Sequence, residues 1–466
     1  MASFKNHASS FMSISKTLSC SLLSRSRSNL VAISLVVISI LFLSTTVTNH
    51  HFPSLTVSAV AYRLLFVANY ISPFSSITPS DTCVVSDLSD NCTLSTIAAI
   101  ERTRKNSRKE GPDVDVDVAV AELSSCNIFH GNWVYDDSEP IYQPGSCPYI
   151  DDSFNCFQNG RPDSDYLRYR WKPHDCNLPR FDGRKMLEML RGKRLVFVGD
   201  SLNRNMWESL VCELRESVEN KSRIIEVAGR REFRTRGFYS FKFLDYRCLI
   251  DFIKSPFLVQ EWRISGSGRE TLRLDMIQDT SSKYNDADII IFNSGHWWTH
   301  QKTYKNKRYF QEGTRVYKKM EVTEAYRKAL RTWARWIDSN VNINRTRVFF
   351  RGYSASHFRK GKWNSGGHCN GERRPVTNET KLGPYPWMMK ILESVISEME
   401  TPVFYLNISR MTEYRKDGHP SIYRIPENLR TPDMIQDCSH WCLPGVPDSW
   451  NDLLYATLLL SSNNYL

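Results

Sequence analysis

The first 80 residues contain no aspartate or glutamate. They do contain Lys5, Lys16, Arg25, Arg27 and Arg63, so this stretch carries +5 of the formal net charge of +11. The remaining 386 residues carry only +6, a mildly basic balance. Nowhere do Lys and Arg crowd densely enough to follow a phosphate backbone, which argues against nucleic acid as the main partner. No internal repeat is present. Hydrophobic residues are 41% and charged residues 24% of the 466, near globular averages, which excludes a wholly disordered chain, a collagen and a coiled coil.

A second absence is more local. Leu30 to Val47, LVAISLVVISILFLSTTV, holds no charge. A spanning helix needs roughly 17–25 such residues, so a single transmembrane anchor is expected. A cleaved signal peptide is the competitor, but its apolar core is usually ~7–15 residues. The positive residues before the run keep the N-terminus cytosolic. The expected layout is a cytosolic head (1–29), a signal anchor (30–47), a luminal stem (48–125) and a luminal body, as in many single-pass type II Golgi transferases. The patch from Leu55 to Tyr70 is broken by Arg63 and reads as stem or interface.

Cysteine is present in number, 12 in all. Cys20 falls on the cytosolic side, and Cys83 and Cys92 fall in the stem. The other nine, from Cys126 to Cys442, read as disulfides of an oxidising lumen. Nine is odd, and Cys248 is expected to be the one left over. Asn-x-Ser/Thr sequons at Asn91, Asn220, Asn344, Asn378 and Asn407 suit the same compartment.

Two segments differ in character beyond the stem. Residues 126–190 begin with a turn-rich, Cys-dense segment expected to lie against a larger body. From about 191 to the end, strands and helices alternate. LVFV (195–198), IIIF (289–292), VFF (348–350) and VFYL (403–406) read as buried strands. Helices are expected over 203–216, 321–338 and 386–399, with a last one starting near Asp448. This alternation predicts an α/β domain: a doubly wound parallel sheet with helices on both faces. Residues 235–280 read instead as a short antiparallel insertion.

The first strand runs into Gly199-Asp200-Ser201 and then a helix. A serine there sits at a helix N-terminus on the carboxyl edge of a parallel sheet, where an oxyanion can be stabilised. Chance gives the tripeptide roughly 0.1 times in a chain of this length, and a plain capped turn is the bland reading. A nucleophilic serine needs a base and an orienting acid. Asp437-Cys438-Ser439-His440 supplies both at an i, i+3 spacing before the last helix, with the histidine between Cys438 and Cys442. Asn293, ending IIIFN, is a candidate oxyanion donor, with a turn cap as the alternative. Trp297 and Trp298 could stack on sugar or simply fill the core. His296 and His300 have the spacing of helical metal ligands but no evident third partner, so no metal is expected. The stretch 301–320 carries seven basic residues against Glu312 alone, with tyrosines interleaved. It reads as a solvated loop or as the lip of a site for an anionic polymer.

The blocks CNIFHGNWV, CPYI, GDSLNRNMWESLVC, FNSGHWW, GHPSIY and DCSHWCLPGVPDSWN resemble, in order and length, the plant trichome birefringence-like family. The resemblance covers residue 126 to the C-terminus. Members are Golgi polysaccharide O-acetyltransferases with a PC-esterase/SGNH-like (GDSL-like) domain. It implies a triad of Ser201, Asp437 and His440. It places Arg204 and Asn293 among oxyanion or substrate contacts, with Gly199 and Asp200 flanking the nucleophile. It also implies disulfides Cys126–Cys176, Cys147–Cys212, Cys156–Cys442 and Cys369–Cys438. The implied reaction passes an acetyl group through Ser201 to a cell-wall polysaccharide, pectin or a hemicellulose such as xylan. It requires an acetyl donor and no bound cofactor. An acetylesterase with the same triad and a non-enzymatic pectin-binding bridging protein are the alternatives.

Overall fold

The computed structural model describes residues 123–463 apart from 125, 230–236, 267 and 304–306. The expected head, anchor and most of the stem, with Cys20, Cys83, Cys92 and Asn91, lie outside the described residues, as does Lys305. Among the described residues no helix is long and apolar enough to cross a membrane.

In chain order the strands are β1 (Gly131–Tyr135), β2 (Tyr169–Pro173), β3 (Arg194–Gly199), β4 (Ile224–Glu226), β5 (Phe238–Phe243), β6 (Cys248–Lys254), β7 (Val259–Arg263), β8 (Glu270–Ile277), β9 (Ile289–Phe292), β10 (Phe310–Glu312), β11 (Arg315–Val316), β12 (Arg347–Arg351) and β13 (Val403–Leu406). The helices are α1 (Gly183–Met189), α2 (Ser201–Glu216), α3 (Val322–Asn340), α4 (Trp387–Ile396), α5 (Ser409–Glu413) and α6 (Val446–Asn463). The main sheet runs β13-β12-β9-β3-β6-β5-β4. Its strands from β13 to β6 are parallel, and β5 and β4 close one edge antiparallel.

The four apolar runs read from the sequence are the parallel strands β3, β9, β12 and β13. In β3, β9 and β12 the unbroken hydrophobicity follows from burial on both faces, whereas β13, at the sheet edge, leaves Phe404 exposed. Along β3, Leu195 and Phe197 enter a core with α1, α2 and α6. Val196 and Val198 enter a second core with α3, α4 and a smaller four-stranded sheet, β11-β10-β8-β7. Layers therefore cover both faces, as the α/β reading requires.

The antiparallel insertion expected over 235–280 needs correction. β5 does pair antiparallel with β6, and β7 with β8, but β6, inside that span, is also a parallel neighbour of β3. Asp251 interrupts its apolar run. That carboxylate is buried, accepts the Ser240 hydroxyl at 2.5 Å and pairs with Arg194 at 2.7 Å.

The N-terminal segment is pinned covalently. β1 and β2 pair antiparallel, with Trp133 opposite Trp171. Cys126–Cys176 closes this segment on itself, while Cys147–Cys212 and Cys156–Cys442 tie it to α2 and to the loop before α6. Cys369–Cys438 joins two later loops, and Cys248 is a free, buried thiol. The pairing is the one the family resemblance implies. Asn220, Asn344 and Asn378 are exposed and Asn407 is half-buried.

Candidate active site

β3 ends at Gly199 against β9, and the chain turns at Asp200 into α2. The Asp200 carboxylate caps that helix, accepting the Leu202 N–H at 2.9 Å. Asn293, just past β9, locks the turn from the side. Its amide donates to the Asp200 carboxylate at 2.7 Å and its carbonyl oxygen accepts the Asp200 N–H at 3.0 Å. This close approach requires glycine at 199, because a Cβ there would stand 1.9 Å from Asn293 Oδ1. Ser201 thus opens α2 on a turn with little freedom.

His440 arrives on an irregular loop. Its Nε2 lies 2.7 Å from Ser201 Oγ, and its Nδ1 lies 2.7 Å from Asp437 Oδ2. The other Asp437 oxygen accepts the N–H groups of Ser439 and His440, at 3.1 and 3.0 Å. Burial alone would push the Asp437 carboxyl up, but the His440 ring and these N–H donors outweigh it and hold the carboxyl below the usual range. The three residues form a relay in which the acid fixes the imidazole and the imidazole faces the hydroxyl.

Three devices hold the loop in place. Disulfides leave it at Cys438 and Cys442, on either side of His440. Asn205 on α2 accepts the Trp441 N–H at 2.8 Å and donates to the Trp441 carbonyl at 3.1 Å. Phe154 from the N-terminal segment lies against the His440 ring at 5.1 Å.

Several expected contacts have other duties. One hydrogen of the Asn293 amide goes to Asp200 and sets the turn. Arg204 pairs with Asp151 at 2.7 Å and Glu208 at 2.8 Å, a tie between α2 and the N-terminal segment. Trp298 is buried and donates to the Ser294 hydroxyl at 2.8 Å, so it is core. Trp297 is half-buried, edge-on to Phe257, with Lys302 Nζ 4.6 Å from its ring. His296 donates from Nε2 to the Ser354 carbonyl at 2.9 Å, and its Nδ1 lies 3.7 Å from Asp200 Oδ2. Burial would raise the Asp200 carboxyl, yet His296, Arg351 and Asn293 hold it below the usual range. Asn203 and Arg204 direct their N–H groups to the Asp200 carbonyl. The Ser201 N–H is therefore the oxyanion donor that the head of α2 offers.

The relay opens into a groove of about 940 Å³, at the upper end of ligand-pocket sizes. Its walls include Trp363 and Trp387, 40% and 38% exposed, together with Lys302, Lys362, Arg424 and His300. Sequence reasoning missed both tryptophans. For Trp363 the signal was a tryptophan set among Gly, Lys and Ser, outside any apolar period. The basic stretch 301–320 is divided: Gln301 and Lys302 line the groove, while β10 and β11 belong to the small sheet.

Comparison with known proteins agrees with this geometry. Residues 178–457 match the PC-esterase model, described as a GDSL/SGNH-like acyl-esterase family found in Pmr5 and Cas1p. Residues 124–177 match the PMR5 N-terminal domain. The chain is 60% identical to protein trichome birefringence-like 4 of Arabidopsis thaliana over 418 residues, 88% of each chain. It belongs to the trichome birefringence-like family. Protein trichome birefringence of the same plant is 57% identical over 348 residues, 73% of this chain and 57% of its own length. Trichome birefringence-like 1 is 55% identical over 374 residues, 79% and 67%. The two family models meet at 177/178, so the PMR5 N-terminal domain is the disulfide-held segment that bears Phe154 and Asp151. Membership supports an enzyme of acyl-esterase or acyltransferase type.

Proposed function

We propose that this protein is a Golgi O-acetyltransferase of plant cell-wall polysaccharide, working through an acetyl-serine. The observation that carries the reading is the relay Ser201–His440–Asp437 at the floor of a groove walled by exposed tryptophans. His440 takes the Ser201 proton as Oγ bonds to the acyl carbon of the donor. The tetrahedral intermediate collapses, and His440 returns that proton to the departing group. A sugar hydroxyl then gives its proton to His440 and attacks the acetyl-serine, and Ser201 leaves reprotonated. Asp437 keeps the imidazole in the tautomer both steps need.

The acceptor is a polysaccharide, pectin or a hemicellulose. Exposed indoles give sugar rings a flat apolar surface, and Lys302, Lys362 and Arg424 favour an anionic chain. Residues 30–47 would anchor the protein as a single-pass type II membrane protein with its body in the lumen. An esterase reading has its own support in the match to an acyl-esterase family and in the exposure of the groove to water. Incubating the purified luminal domain with a labelled acetyl donor and oligomers of xylan, mannan, xyloglucan and pectin tests both. Label on a sugar supports the transferase. Label released only as acetate makes the protein an esterase.

A further inference from the structure

Behind the catalytic loop two histidines touch ring to ring. His357 Nδ1 and His419 Nε2 are 2.7 Å apart. The outer nitrogens face backbone carbonyls: His357 Nε2 is 3.0 Å from the Glu413 oxygen, and His419 Nδ1 is 2.7 Å from the His440 oxygen. His419 is buried and stacks on Trp441 at 4.1 Å. The backbone N–H of His357 donates to the Cys438 carbonyl at 3.0 Å, and Ser421 and Asp437 exchange backbone hydrogen bonds at 2.8 and 3.2 Å. The pair therefore lies against the loop that carries the base.

The proton count of this chain is constrained. A carbonyl only accepts, so each outer nitrogen must carry a hydrogen. A neutral imidazole has a single N–H. Two neutral rings would bring two lone pairs together at 2.7 Å with nothing between them. A third proton between the rings satisfies all four nitrogens and gives the pair one positive charge. We propose that His357 and His419 share one proton and, through it, hold the backbone carbonyl of His440. The pair is thus a positioning element of the catalytic loop that slackens when the proton leaves.

The surroundings make that proton labile. Burial works against the charged form of both rings and lowers both pKa values. Glu413 on α5, Asp417 on the following turn and Glu372 on the Cys369 loop pull the other way on His357, and Asp437 does so on His419. Asp417 is itself paired with Arg415, and Glu372 with Lys416. Arg161 of the N-terminal segment donates to the His419 carbonyl at 3.2 Å, and a protonated His440 would oppose the charge from the loop. The pair carries its proton in acid and loses it as pH rises. His440 must be neutral to act as a base. Reactivity of Ser201 should then depend on the pair's proton as well as on the state of His440.

The proposal rests on the acyl-transfer reading only for its second readout. The first uses 15N-histidine NMR of the unliganded luminal domain. At about pH 5 all four nitrogens of His357 and His419 should titrate as one unit holding three protons. Ordinary neutral patterns on both rings at that pH would overturn the sharing, whatever the enzyme does. The second reads covalent labelling of Ser201 by a fluorophosphonate across pH. His357→Asn places a neutral N–H donor where the shared proton lay, so the link to His440 no longer needs the charge. Wild-type labelling should fall about tenfold below that of the variant once the pair has lost its proton, a modest cost for misplacing a reacting group. The variant should keep its labelling through that step. Identical pH profiles in both proteins would overturn the positioning role. If Ser201 does not label at all, the proposed function fails while the NMR still decides the pair.

Discussion

Ser201 and His440 meet at 2.7 Å, yet the chain delivers them by opposite means. Ser201 comes off the interior of the sheet. Its place is fixed by β3, the cap at Asp200 and the bracket from Asn293, all noncovalent. His440 comes on a loop with no regular structure beneath it. Its place is fixed by two disulfides, the Asn205 bracket and the His419 contact. One half of the site inherits order from the core; the other half is stapled. Perturbing the staples should therefore cost His440 its position while the nucleophile turn stays whole, and perturbing the turn should do the reverse.

The largest effect tests whether both halves are needed. Ser201→Ala and His440→Ala should each lower acyl transfer by about 10⁴- to 10⁶-fold, as triad losses do elsewhere. Thermal unfolding should stay within a few degrees of wild type. The double variant should be no worse than either single one, and additive losses would break the idea of a single relay. Next come the staples. Cys369→Ser with Cys438→Ser frees one side of the His440 loop, whereas Cys126→Ser with Cys176→Ser opens a distant link. Lost disulfides cost roughly 2–5 kcal/mol in small domains, less in one this large. Activity assayed well below the melting temperature should fall at least about tenfold for the first pair and little for the second.

The nucleophile turn has its own test. Gly199→Ala puts a methyl 1.9 Å from Asn293 Oδ1 and 2.7 Å from its carbonyl oxygen. Overpacking of this kind costs about 1–3 kcal/mol, read as a lower midpoint in urea. Disulfide mapping should stay native, since the stapled half is untouched.

How far each half was legible follows from the same contrast. β3, β9 and β12 could be read because burial on both faces leaves an unbroken apolar run. β6 could not, because Asp251 sits mid-strand and its partners Arg194 and Ser240 lie on other strands. The smaller sheet depends on parallel pairing of β10 with β8, a contact no local pattern announces. In the site, GDS is a strand-to-helix signal, so its placement was readable. The Asp437/His440 turn was visible as a spacing, but only the resemblance to the family gave it weight. The structural contacts of Asn293 and Arg204 were not readable, because their partners Asp200, Asp151 and Glu208 are matched only in three dimensions.

A smaller effect concerns the far side of α2. Burial raises the carboxyls of Asp448 to about 6 and Asp452 to about 7, and pushes Glu213 up as well. Their pKa values are higher folded than unfolded, so the folded state holds extra protons between them. Stability is then fully present below about pH 4 for these groups and is lost as pH rises through 6 to 7. The slope is at most about 1.4 kcal/mol per pH unit for each proton retained. Urea midpoints should fall from pH 5 to 8 in wild type and less in Asp452→Asn. A flat profile would show these carboxylates ionised in the fold.

The smallest expected effect separates acceptors. Groove-wall cations are screened over about 8–10 Å at physiological salt. Binding of uronic-acid oligomers should weaken with salt and weaken further in Lys302→Ser with Lys362→Ser. Neutral xylan oligomers should respond little. Equal responses would remove the physical basis for an anionic acceptor.

The central claim is that Ser201 carries the acyl group and that His440 puts it there. Acid-quenched mass spectrometry of the purified protein after brief exposure to an isotopically labelled acetyl ester reads this directly. The account predicts one labelled acetyl on the peptide containing Ser201 in wild type, discharged on adding the acceptor oligosaccharide and absent in His440→Ala. A labelled acetyl on another residue, or undiminished labelling of Ser201 without His440, would contradict it.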